Sequence, residues 1–88
     1  MKYYIENITN RNGVIRTEDR YPNRIGSTVD FLRPVEKGMP MLFEYGKGTE
    51  THITLTSRVK DSQWNDNKFY VKTHNSIYIF KPLKESEE

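Results

Sequence analysis

The stretch Thr51-His52-Ile53-Thr54-Leu55-Thr56-Ser57-Arg58-Val59-Lys60 decides between helix and sheet for this chain. Thr51, Ile53, Leu55, Ser57 and Val59 alternate strictly with His52, Thr54, Thr56, Arg58 and Lys60. A period of two belongs to a strand with one buried face and one wet face, whereas a helix repeats its apolar positions three and four residues apart. The alternation predicts that Ile53, Leu55 and Val59 point into a core. Leu55→Ala and Phe69→Ala are then each expected to cost roughly 2 to 5 kcal/mol.

Composition points the same way. The chain has no alanine and four leucines, against twenty Ile, Val and Thr residues and eleven aromatic ones. Branching at Cβ restricts χ1 in a helix but packs well on a pleated surface, so strand formation has a steric cause here. Leu, Ile, Val and Phe make up about 23% of the 88 residues, just above the level at which a chain stays disordered, so the core is thin.

Working outward, residues 2 to 8 read as a first strand, and Asn10-Arg11-Asn12-Gly13 supplies turn chemistry before Val14 to Thr17 returns. Residues 18 to 27 form the main irregular loop, with Asp19, Tyr21-Pro22-Asn23 and Gly26-Ser27. Thr28 to Arg33 makes a third strand, and Met41 to Tyr45 a fourth after the turn at Val35-Glu36-Lys37-Gly38. Gly46-Lys47-Gly48 leads into the alternating strand, and Asp61 to Asn67 is read as a polar connection. The last pair, Phe69 to Thr73 and Ser76 to Phe80, flanks His74-Asn75, the loop length of a primed hairpin turn. That register sets Phe69, Val71 and Thr73 opposite Phe80, Tyr78 and Ser76 on one face. The fold is therefore expected to be all-β: a single domain over residues 1–83, a meander or SH3-like barrel of six or seven short strands, with residues 84–88 a flexible acidic tail.

Fourteen Lys+Arg against twelve Asp+Glu leave a net charge of +2, and removing the tail brings the body to about +4. With no cysteine there is neither a disulfide framework nor a thiolate site, which fits a reducing cytoplasm. No apolar run is long enough for a membrane helix.

No motif fixes a reaction. The only histidines are His52 and His74, without metal-site spacing, and Asp61 to Asn67 lacks the central Gly and terminal Glu of a calcium loop. Gly46-Lys47-Gly48-Thr49 lacks the upstream Gly of a phosphate loop, and no helix follows it. Neither a metal nor a cofactor is expected, and no nucleophile–base pair points to an enzyme.

Two surfaces could bind a partner. Arg11, Arg16, Arg20 and Arg24 straddle the first hairpin and the long loop, with Tyr21 among them. Arginine forks clamp phosphates and carboxylates, so this group suits a small anionic ligand or an acidic protein surface. Glu18, Asp19 and Asp30 lie nearby in sequence and could neutralise it. Trp64, a large aromatic in a polar segment, either caps the barrel or anchors a partner. The second surface is Lys68, Tyr70, Lys72 and Lys81, where lysine beside an aromatic ring suits single-stranded nucleic acid; the plain alternative is lysine stems covering Ile77 and Ile79.

The strand Thr56-Ser57-Arg58-Val59, followed by the hairpin Thr73-His74-Asn75-Ser76-Ile77-Tyr78, resembles a group of small β proteins of Gram-positive bacteria and their phages, with a weaker echo over Pro34 to Tyr45. The resemblance brings no catalytic residue. It implies a cytosolic or phage-borne accessory protein that occupies a host protein or sequesters a small signalling molecule. The expected function is a non-enzymatic binding module for a host protein or a small anionic ligand, of the kind that modulates a host pathway; single-stranded nucleic-acid binding is the alternative.

Overall fold

The computed structural model describes residues 2–17 and 21–83. The acidic tail expected at 84–88 lies outside them. Six strands form one all-antiparallel closed barrel: β1 (Tyr3–Thr9), β2 (Thr28–Phe31), β3 (Pro40–Lys47), β4 (Glu50–Asn65), β5 (Lys68–Thr73) and β6 (Ile77–Pro82). Each strand pairs with its neighbour in sequence, and β1 closes on β6. One helical turn, α1 (Tyr21–Arg24), interrupts the loop between β1 and β2.

The interior holds Ile5, Ile8, Val29, Met41, Phe43, Tyr45, Val59, Val71, Tyr78 and Phe80. Ile5 and Ile8 are three apart, a spacing that would put them on opposite faces of a regular strand. An extra residue in β1, between the pairs Ile5–Phe80 and Asn7–Ile79, turns both inward, and the Asn7 side chain accepts the Ile8 N–H at 3.0 Å.

The hairpin of β5 and β6 has the register expected of it: Phe69 faces Phe80, Val71 faces Tyr78, Tyr70 faces Ile79 and Lys72 faces Ile77. Its loop differs from the expected primed turn, because His74 and Asn75 do not take positive φ. Thr73 closes the loop instead. Its N–H reaches the Ser76 carbonyl at 2.7 Å and its hydroxyl accepts the Ser76 N–H at 3.0 Å, while the His74 N–H donates to the Arg58 carbonyl. A left-handed pair does occur at Asp66 (φ 52°) and Asn67 (φ 63°), as a type I′ turn requires. The segment read as a polar connection is accordingly strand as far as Asn65.

The alternating stretch is a strand, but its face is inverted over its first half. Thr54 is buried, while Ile53 and Leu55 are 65% and 61% exposed. The cause is one extra residue in β4. Leu42 pairs with Leu55 and Pro40 with Arg58, so Met41 alone opposes Thr56 and Ser57. The Thr56 hydroxyl takes the Met41 N–H at 3.0 Å, where a ladder carbonyl would otherwise stand. Beyond this bulge the parity flips and Val59 enters the core as expected. Phe69 packs against the core, as its face predicts.

The first hairpin shrinks to a flap. The Asn10 side chain accepts the N–H groups of Asn12 and Val14, Gly13 takes φ 86°, and the return is one bridge between Thr9 and Ile15. Residues 14 to 16 pair with β1 only at Ile8 to Asn10, beyond the part of its edge that β2 takes at Tyr3 and Tyr4, and Val14 and Ile15 remain exposed.

Candidate ligand-binding site

The short helix α1 brings Tyr21 and Arg24 onto one side, since residues three apart are neighbours on a helical surface. It ends at Gly26, whose φ of 86° suits glycine, and the Gly26 N–H ties the turn to the Ile5 carbonyl at 2.8 Å. The Ser27 hydroxyl donates to the Asn23 carbonyl at 2.9 Å. The turn is thus fixed to the barrel mouth.

Arg24 stands there among three tyrosines. Its guanidinium lies 5.3 Å from the Tyr21 ring centre and 5.6 Å from that of Tyr45, and one of its terminal nitrogens donates to the Tyr78 hydroxyl at 3.3 Å. No carboxylate pairs with Arg24 among the described residues, and its buried Nε has no hydrogen-bond acceptor. Burial works against its charge, but contacts with Tyr45 and Tyr78 outweigh that and raise its pKa. Burial likewise pushes the Tyr78 phenol up to about 12, with Arg24 pulling weakly the other way. Arg16 lies 4.8 Å over the other ring contact of the group, Tyr21, and donates to the Asn75 carbonyl.

Beside this group opens a cavity of about 440 Å³, lined by Asn23, Ser27, Tyr45, Gly46, Lys47, Glu50 and His52. The His52 ring sits 5.5 Å from that of Tyr45, tilted by 35°. The amine end of Lys47 lies over Gly26, where an added Cβ would sit 3.8 Å from Nζ. Gly46 leaves no room for a side chain at all, since its Cβ would fall 2.0 Å from the Glu50 carbonyl oxygen. The mouth therefore offers flat rings, the cations Arg24 and Lys47, the Glu50 carboxylate opposite Lys47 in the ladder, and several neutral hydrogen-bonding groups.

Of the residues singled out from the sequence, Arg16, Tyr21 and Arg24 come together here. Arg11 is nearby along the same hairpin contact and donates to the His74 carbonyl at 3.3 Å. Arg20 lies outside the described residues, as do Glu18 and Asp19. Trp64 does not join the arginines. It is 54% exposed, stacks on Phe69 at 5.0 Å and stands 6.2 Å from Tyr3. Phe69 meets Phe80, which stacks on Tyr78, so a series of rings separates Trp64 from Arg24.

Lys68, Tyr70, Lys72 and Lys81 belong to the outward side of β5 and β6, but acids accompany the lysines. Lys68 forms an ion pair with Glu6 at 2.6 Å, and that hydrogen bond is the main reason its pKa is raised. Lys72 pairs across the ladder with Asp61 and Lys81 with Tyr4. A shallow cavity of about 250 Å³ is lined by Tyr70, Lys72, Asp61, Ser62, Gln63 and Ile77.

Sequence reasoning missed Tyr45, Lys47, His52 and Tyr78. His52 was placed on the wet face of its strand, and only the bulge at Thr56 and Ser57 shows that it shares the Tyr45 side. Among the described residues no three His, Asp or Glu side chains gather to hold a metal ion, and no helix is long and apolar enough to cross a membrane. No protein family matches the chain, and neither curated proteins nor solved structures provide a match.

Proposed function

We propose that the protein is a non-enzymatic binding module whose barrel mouth takes a small anionic ligand carrying a flat ring, such as a nucleotide. The observation that carries this reading is Arg24, a partly buried guanidinium packed among rings with no carboxylate partner among the described residues. A fixed, uncompensated cation beside a cavity favours an anion because part of its desolvation is already met in the empty protein. Lys47 adds a second cation, offset in part by Glu50 opposite it, so Arg24 carries the preference for an anion, and Tyr45 and His52 supply a surface on which a base can stack. The resemblance to small phage and Gram-positive β proteins agrees with a role in sequestering a signalling molecule within a host pathway.

Calorimetric titration with inorganic phosphate, nucleoside monophosphates, cyclic dinucleotides and an uncharged nucleoside tests the reading. Phosphorylated nucleosides are expected to bind tightest, and Arg24→Gln to weaken them by about tenfold or more, the scale of one charged hydrogen bond. Equal binding of the uncharged nucleoside, or an unaltered affinity in Arg24→Gln, would remove the support.

A further inference from the structure

β4 changes partners halfway. It pairs with β3 up to Arg58 and with β5 only from Val59 onward, which among the described residues leaves each half with one edge unpaired. The phase of the first half follows from Leu42, whose carbonyl accepts the Leu32 N–H and therefore faces β2. Leu55, directly opposite Leu42, must turn its own N–H and C=O away from β3, and Ile53 and Thr51 share that phase. No hydrogen bond is made by these groups among the described residues. The side chains along this edge, Ile53 and Leu55, are mostly exposed, and on the same outer face Leu42 lies opposite Leu55 and Glu44 opposite Ile53.

The other open half of β4 is blunted. There the Asp61 carboxylate accepts the Ser62 N–H at 2.9 Å, and Lys60, Asp61 and Asp66 place charges along the edge. Such devices discourage strand addition. Nothing comparable guards Thr51 to Leu55, where residues 51 to 57 carry no Asp, Glu, Lys or Arg.

We infer that the edge Thr51–Leu55 is an interface that pairs antiparallel with the same edge of a second copy of this chain, about a twofold axis at Ile53. An uncharged edge with its outward groups evenly spaced about Ile53 is complementary to itself. Ile53 faces its own copy and Thr51 faces Leu55 of the partner, and each facing pair exchanges two backbone hydrogen bonds. No like charges are brought opposite each other, and the exposed apolar side chains of Ile53 and Leu55 adjoin across the axis. The interface does not rest on the anion reading, because Arg24 and Lys47 take no part in it and His52, which lies within the edge, shares the Tyr45 face rather than that of Ile53 and Leu55.

The chain has no cysteine, so an introduced one reports proximity cleanly. Paired edge residues meet the Cα separation of a disulfide. Under mild oxidation Ile53→Cys is expected to form a covalent dimer, while Thr51→Cys alone does not and the Thr51→Cys, Leu55→Cys double variant does. Light scattering of the unaltered protein up to about 100 µM, where micromolar association is visible, is expected to show a dimer. Ile53→Lys is expected to return it to the monomer with an unchanged far-UV spectrum. A monomer throughout that range, crosslinking of Ile53→Cys no faster than that of Ser62→Cys, or a dimer that persists in folded Ile53→Lys would each overturn the inference.

Discussion

Tyr78 shows how one residue serves packing and charge together. Its ring stacks on Phe80 and its hydroxyl accepts a hydrogen bond from Arg24; burial holds the phenol neutral inside the barrel, against the pull of the Arg24 charge. A free tyrosine titrates near 10 and Tyr78 only at about 12, so the folded protein keeps the proton more firmly than the unfolded chain. Stability from this source is whole below pH 10 and is lost as pH rises from 10 through 12, by on the order of 2 kcal/mol. Denaturant unfolding at pH 9 and pH 11.5 checks this, with Tyr78→Phe expected to flatten the loss. Leu55 makes the contrasting case. Exposed on the outer face, it is expected to lose no more than about 0.5 kcal/mol when changed to Ala in the monomer. Phe80→Ala, which empties a fully buried position contacting five other rings, is expected to cost roughly 3 to 5 kcal/mol. Equal losses in thermal unfolding would contradict the face assignment of β4.

At the level of elements, β4 carries the bulge on which the site depends. Thr56→Val removes the hydroxyl that accepts the Met41 N–H, keeps nearly the same shape, and is expected to cost about 1 to 3 kcal/mol in a denaturant titration. The hairpin of β5 and β6 was legible from its sequence because two-residue alternation and a two-residue loop agree there, and no bulge intervenes. The first half of β4 was misread for the opposite reason. Its alternation is genuine, but one extra residue at Thr56 and Ser57 exchanges the faces, and nothing in the composition marks that place. Arg16, Tyr21 and Arg24 were legible as a site because arginine clusters around an aromatic loop are visible in one dimension. Tyr45, Lys47 and His52 were not, since they come from β3 and β4 and meet the helix α1 only through barrel closure.

For the whole molecule, thirteen cations and nine acids over residues 1–83 leave a modest surplus of charge, and the lysine face of β5 and β6 shares its outer surface with Glu6 and Asp61. Oligonucleotide binding is therefore expected to be no tighter than micromolar at physiological salt, with little change when Lys68, Lys72 and Lys81 are all replaced by Glu. A nanomolar, salt-sensitive complex that the triple variant loses would instead favour the nucleic-acid alternative. The series of rings through the barrel has an optical consequence. Trp64 is the sole tryptophan and stacks on Phe69, separated from the Arg24 mouth by Phe69, Phe80 and Tyr78. Its fluorescence is thus a reporter of whether the barrel is folded, shifting to the red when that stacking is lost, while filling the mouth with ligand leaves its emission where it was.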